Sequence, residues 1–162
     1  MITGIIMASG FSRRMKRDKL TIEIDGEKII ERVIKAAINS KLDEIILVYR
    51  TEEIKEIGEK YNLKCIYNPV AHLGQSASVI IGTRNSEPKS ALMYLVADQP
   101  YLTTKVIDRL LEEYRNKEGT IVIPYFNNRF GMPIIFPPRF RSDLLKVVGD
   151  KGGREIIDNN PN

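Results

Sequence analysis

Short runs of Ile, Val and Leu alternate with segments of helical period along this 162-residue chain, and that alternation restricts the fold more than any other feature. Apolar runs bounded by polar turns read as buried strands, and helical segments between them are the crossovers a parallel sheet requires. The pattern predicts strands at about 3–8, 45–49, 64–67, 91–97, 120–125 and 132–136. Between Glu27 and Asn39, the residues Ile29, Ile30, Val33, Ile34, Ala37 and Ile38 form one helical stripe, which would cover the sheet. Thr51 followed by Glu52 and Glu53 predicts a capped, acidic first turn, with Ile54 and Ile57 on the buried side. A further helix is expected from about Thr104 to Lys117, with Val106, Ile107, Leu110, Leu111 and Tyr114 facing inward. Asn127-Asn128-Arg129 between apolar segments predicts a hairpin, so the sheet should gain an antiparallel strand late in the chain. The expected class is therefore α/β with a mostly parallel sheet.

Composition agrees with one globular domain over 1–162, since 43% of residues are apolar and 28% charged. No internal repeat, low-complexity segment or domain linker interrupts it. A chain of this size buries roughly 70% of its unfolded surface, so it needs no disulfide or metal staple. Cys65 is the single cysteine and cannot form an internal disulfide, which suits a cytoplasmic setting. The longest apolar run, near Ala91 to Ala97, is too short to cross a bilayer, so no membrane role is expected. Lys and Arg (25) exceed Asp and Glu (21) only mildly. Much of that excess sits together in Arg13, Arg14, Lys16, Arg17 and Lys19, a local cationic site too compact to track a nucleic-acid duplex.

In an open α/β sheet, ligands bind where loops converge at the carboxyl ends of the strands. Three unusual loops occupy such positions. The first, Ala8-Ser9-Gly10-Phe11-Ser12-Arg13-Arg14-Met15 with Lys19 following, offers close backbone approach, hydroxyls and cations to a triphosphate. It matches neither the Walker P-loop nor the dinucleotide fingerprint. It reads equally as a solvated basic turn. The second loop runs from Asn68-Pro69 to Gly74-Gln75-Ser76-Ala77-Ser78, where Ser76 or Ser78 either caps a helix or meets a ligand. His72 lies there without a Cys or His cluster, and a catalytic part for it is not expected. The third is Asp98-Gln99-Pro100, directly after an apolar strand. Asp98 suits Mg²⁺, which accepts one carboxylate plus phosphates and water, or else is a turn aspartate. Cys65, Tyr49, Tyr67 and Tyr94 read as packing residues.

Taken together, these segments resemble the MobA-like nucleotidyltransferases, and most closely the molybdenum cofactor cytidylyltransferase branch. The residues that carry the likeness are Ala8 to Met15 with Lys19, Asn68-Pro69 with Gly74 and Ser78, and Ala97-Asp98-Gln99-Pro100. Gly131-Met132-Pro133 and Gly149-Asp150-Lys151-Gly152-Gly153-Arg154 continue it, so that nearly the whole chain is covered. The resemblance implies a three-layer α/β/α, Rossmann-like fold of the nucleotide-diphospho-sugar transferase (GT-A-like) kind. It implies transfer of CMP from CTP to the phosphate of molybdenum-bound molybdopterin, with pyrophosphate leaving and Mg²⁺ as cofactor.

By matching position, Ala8, Ser9, Gly10 and Ser12 border the nucleotide, Arg13 and Lys19 take its phosphates, and Asp98 takes Mg²⁺. Asn68, Gly74, Ser76 and Ser78 complete that pocket, while the Gly131 and Gly149 to Arg154 segments face the pterin. Ser9 stands where the cytidylyl branch has Ala and the guanylyl branch Gly, whereas Asp98-Gln99-Pro100 leans to the cytidylyl side. Lys16 replaces a usual glycine and Met132 a common histidine. The family continues through another strand with an Asp-x-Asp-Thr-Pro segment, which these residues lack, and with it a second metal ligand. Guanylyl transfer, nucleotidyl transfer to a sugar phosphate, and a catalytically weak molybdopterin carrier serving a molybdoenzyme remain open alternatives on the same residues.

Overall fold

The computed structural model describes residues 1–10, 19–150 and 152–161. In chain order it contains β1 (Ile2–Ala8), β2 (Glu23–Ile24), β3 (Glu27–Lys28), α1 (Ile29–Ile38), β4 (Glu44–Tyr49), α2 (Glu52–Lys60) and β5 (Lys64–Tyr67). There follow α3 (Gln75–Arg84), β6 (Ala91–Val96), α4 (Thr104–Asn116), β7 (Tyr125–Phe126), β8 (Arg129–Phe130), β9 (Ile134–Phe136), α5 (Arg141–Leu144) and α6 (Arg154–Asp158). The central sheet has the order β5-β4-β1-β6-β9. The first four strands are parallel, and β9 runs antiparallel against β6.

Pleating divides the strands between two cores. Ile2, Ile6, Leu47, Met93 and Leu95 pack with Val33 and Ile34 of α1, Ile54 of α2 and Ile107 and Leu111 of α4. Ile5, Ile46, Val48, Leu92 and Tyr94 pack on the other face with Val79 of α3, Leu144 of α5 and Ile156 and Ile157 of α6. The molecule is thus three layers, as expected. Burying each such aliphatic side chain contributes roughly 1.5–3 kcal/mol. All seven residues of β1 are buried, which makes it the centre of the sheet.

Helices α2 and α4 begin where their sequence says they should. Ile54 N–H donates to Thr51 Oγ1 at 3.4 Å, and Val106 N–H to Thr103 Oγ1 at 3.2 Å, each satisfying a donor that helix geometry leaves free. The start of α1 differs from the sequence expectation, because Glu27 and Lys28 pair with Glu23 and Ile24 in a small hairpin. Asp25 and Gly26, with φ of 53° and 81°, make the two-residue turn that commits Glu27 to a strand.

The strand expected at 120–125 is the second correction. Only Val122 bridges Ile135, while Tyr125–Phe126 pairs with Arg129–Phe130 around Asn127 and Asn128, both at positive φ. Pro124 lacks the N–H that a continuous ladder there would use. Among the described residues, no helix is long and apolar enough to cross a membrane.

The chain passes from β1 outward through β4 to β5, then returns to β6 on the other side of β1. This reversal leaves a crevice at the carboxyl ends of β1 and β6, where open α/β sheets bind ligands. Helix α3 lies very close to the sheet, since a Cβ at Gly82 would collide with Ile5 Cγ2. That close approach sets the first turn of α3 at the crevice.

Candidate functional site

A hollow of about 440 Å³ opens at this crevice. Ser9 and Gly10 reach it from the end of β1, Ala97 and Asp98 from the end of β6, and Gly74, Gln75 and Ser78 from the start of α3. Lys19, His72 and Asp150 complete its polar wall. Lys19 Nζ lies 2.9 Å from Asp98 Oδ2, so residues 79 positions apart meet at one rim. Both side chains are nearly half exposed, at 48% and 41%. An ion pair that wet contributes little to stability, about 0–1 kcal/mol, and exchanges readily for other partners.

Behind the hollow sits a buried cluster of Ser9, Asn68 and Ser78. The Asn68 Oδ1 accepts from Val70 N–H at 3.0 Å, and this fixes which way the carboxamide faces. Its Nδ2 then donates to Ser9 Oγ at 2.9 Å and Ser78 Oγ at 3.2 Å. The two hydroxyls also hydrogen-bond to each other. One hydroxyl proton is consumed in that mutual bond, so one remains for a ligand in the hollow. Asn68 is 1% exposed and does not line the hollow, so it orients the serines rather than touching a ligand.

Ala8, expected to border the nucleotide, is likewise buried at the last position of β1, where it packs in the core and does not line the hollow. Ser76 is buried and does not line the hollow. Its N–H donates to Gly149 O at 3.0 Å, and its Oγ has no hydrogen-bond partner among the described residues. It caps nothing by its side chain, because the position before α3 is Gly74. Gly74 is required where it stands, since its φ is 102° and a Cβ in its place would collide with Asp150 Oδ1. Ser12 and Arg13 lie outside the described residues.

The donor set at the rim suits a particular kind of metal. Among the described residues, no group of three or more His, Cys, Asp or Glu side chains could hold an ion by itself. Asp98 already faces a cation in Lys19, and it opens onto a space large enough for phosphates and water. That arrangement fits Mg²⁺, which binds through one or two carboxylates and completes its shell with substrate oxygens.

A second hollow of about 840 Å³ adjoins the first, with Met7 and Gln75 lining both. Its chemistry is different. Tyr94, Phe130, Met132 and Phe136 supply ring and thioether surface, Arg154 supplies a cation, and Glu155 and Asp158 supply carboxylates. The Arg154 guanidinium lies 5.6 Å from the Phe130 ring centroid and pairs with Asp158 at 3.5 Å. Thr83 Oγ1 donates to Val79 O at 2.6 Å, so the Tyr94 hydroxyl is the donor in its bond to Thr83. Burial pushes the Tyr94 phenol well above its ordinary range, so it stays neutral.

The expected pterin-side segments therefore divide. Gly131, Met132, Gly152, Gly153 and Arg154 line the second hollow, whereas Asp150 belongs to the first. Gln99 links the two regions differently from its neighbour Asp98. Its Nε2 donates to Met132 O at 3.4 Å, tying the loop after β6 to the second hollow.

Sequence reasoning does not single out Gln75, Asp150 or Tyr94 as site residues. Gln75 and Asp150 sit inside segments that stand out, but nothing in one sequence says which residue of a loop faces inward. Tyr94 looks like any strand tyrosine until α3 and β9 are placed around it. Cys65 is half-buried in β5 away from both hollows, and burial raises its thiol pKa, as befits a packing residue.

Comparison with known proteins places the chain among relatives. Residues 4–162 match the MobA-like NTP transferase domain. The chain is 30% identical over 167 residues to the purine catabolism protein PucB of Bacillus subtilis, covering 96% of this chain and 80% of that protein. It is 28% identical over 130 residues to a probable molybdenum cofactor guanylyltransferase of Natranaerobius thermophilus, covering 80% of this chain and 62% of the relative. Among solved structures, a nucleotidyl transferase from Methanothermobacter has the same fold. The TM-score is 0.82 at 22% identity, over 99% of this chain and 83% of that one.

Proposed function

Because this chain belongs to the MobA-like NTP transferase family, we propose that it transfers a nucleotide from an NTP to the phosphate of a molybdopterin-type acceptor, releasing pyrophosphate. The observation that carries the reading is the pair of adjoining hollows. One is lined by hydroxyls with Lys19, Asp98 and Asp150, the other by rings with Arg154, Glu155 and Asp158, and they meet at Met7 and Gln75. A polyanionic donor suits the first, and a planar heterocycle suits the second.

In the proposed reaction, an acceptor phosphate oxygen forms a bond to the donor's α-phosphorus while the bond from that phosphorus to the β-phosphate oxygen breaks. The electron pair leaves with pyrophosphate. Such a displacement needs alignment and charge stabilisation more than a protein nucleophile. Lys19 would leave Asp98 to neutralise the donor's phosphates, and Ser9 or Ser78 would donate its remaining hydroxyl proton. Asp98 would hold Mg²⁺, which supplies charge neutralisation to the phosphates when bound.

The proposed donor is CTP, on the Asp98-Gln99-Pro100 sequence. GTP is the second reading, favoured by the relatives named as guanylyltransferases. Pyrophosphate release is measured with molybdopterin, Mg²⁺ and either CTP or GTP. Release dependent on acceptor with one of the two is expected, and the faster nucleotide assigns the base. Tight molybdopterin binding without release from either would replace the enzyme with a carrier.

A further inference from the structure

The two hollows share Met7 and Gln75, and of these only Gln75 carries polar side-chain atoms. Met7 is an apolar residue of β1, 9% exposed, and offers a phosphate no donor. Gln75 opens α3, and its side chain is exposed where the hollows meet. The opposite wall leaves room for it. Gly152 stands at φ of 54°, and a Cβ there would come within 3.1 Å of Gln75 Oε1. Of the charged side chains around it, Lys19 pairs with Asp98 in the first hollow and Arg154 with Asp158 in the second, while Asp150 and Glu155 also line the hollows.

We propose that Gln75 is a catalytic contact of the transfer, its Nε2–H donating to the phosphate group that passes between the two hollows. This rests on the nucleotidyl-transfer reading above and names the residue at its reacting centre. In the reaction, the acceptor phosphate and the α-phosphate are both anionic and must come into contact. A neutral amide at that point donates to an oxygen of either without adding a charge of its own, and its donor is worth most when negative charge crowds in the transition state. No proton leaves Gln75 and no bond to it forms. The new bond joins acceptor oxygen to α-phosphorus, and the departing electron pair goes to pyrophosphate. A glutamate at this position would add a third negative charge.

The test compares wild type with Gln75→Leu and Gln75→Glu, using CTP or GTP, Mg²⁺ and molybdopterin. Nucleotide affinity is read separately by calorimetry without acceptor. Gln75→Leu should lower kcat by about 10²-fold while leaving nucleotide affinity near wild type, and Gln75→Glu should lower kcat further. Wild-type kcat in Gln75→Leu overturns the assignment and leaves the nucleotidyl-transfer reading standing. A loss of nucleotide affinity equal to the loss in kcat/KM also overturns it, making Gln75 a ground-state contact. If wild type itself releases no pyrophosphate, the reading of the function fails and this inference with it. Thermal melts of both variants accompany the kinetics. Because Gln75 is exposed at a helix start, both should melt near wild type.

Discussion

The two hollows of this protein share a border, and both carry charged side chains, but one adds hydroxyls and the other adds rings. The first is built around exchangeable charge, with a wet ion pair at its rim and a hydroxyl cluster locked behind it. The second is built around rings, with Tyr94 and Phe136 held by the core and Phe130 exposed at the mouth beneath Arg154. The contrast teaches how one sheet edge can present two unlike surfaces side by side. Charged groups kept half in water give up their partners easily, while aromatic surface fixed by packing presents a preformed face at little entropic cost.

The largest effect that would sharpen this division is expected at the rim. Asp98→Asn and Lys19→Met should each lower turnover by about 10²–10³-fold with little change in melting temperature, because the pair contributes little to folding. Steady-state kinetics beside thermal melts check both. Lys19→Met should also tighten Mn²⁺ binding without nucleotide, since it removes the cation that competes for Asp98. Paramagnetic relaxation of water protons reads that directly, and unchanged Mn²⁺ affinity would mean that the ion pair does not guard the carboxylate.

Asn68→Ala should affect both folding and the first hollow. It strips a buried donor from two serines and leaves Val70 N–H without its acceptor, a loss of about 1–3 kcal/mol by chemical denaturation. Nucleotide affinity should fall with it, while affinity for molybdopterin should not. Tyr94→Phe probes the other side. Thr83 keeps its bond to Val79, so only about 0.5–1.5 kcal/mol should be lost, and the KM for the acceptor should rise while that for the nucleotide stays. A change confined to nucleotide KM would break the division.

The smallest effect is remote from both hollows. Burial and a 2.5 Å bond to Glu31 raise the Tyr61 pKa from 10.0 to about 12. The unfolded chain ionises first as pH rises, so the stability tied to the neutral phenol is complete below pH 10.0 and is lost on the way to about 12. Tyr61→Phe should flatten that part of the stability profile and leave turnover unchanged.

Much of the fold was legible because the physics that sets it is local. The strands β1, β4, β5 and β6 are short apolar runs, and α1 and α4 are amphipathic stripes that can be counted off the residues. Thr51 announces its helix one residue ahead. Two boundaries needed backbone chemistry that outweighed the apolar pattern, namely the Asp25-Gly26 turn that shortens α1 and Pro124, which stops a strand. The site was legible as a set of loops, since the carboxyl ends of parallel strands must converge. Lys19 and Asp98 do meet, as their loops required. The facing of single residues was not legible. Asn68 and Ser76 turn away from the hollow, whereas Gln75, between Gly74 and Ser76, faces it, because which side of a loop is inward depends on segments far off in the sequence. Gly149 and Asp150, packed against Gly74, decide this here.

The most direct test of the whole arrangement is a crystal structure with a non-hydrolysable CTP or GTP analogue and Mn²⁺. The account predicts the triphosphate in the first hollow, Lys19 on its oxygens and the anomalous manganese peak at the Asp98 carboxylate, with the second hollow left open beyond Gln75. Manganese bound away from Asp98, or a triphosphate seated among Tyr94, Phe130 and Arg154, would contradict it.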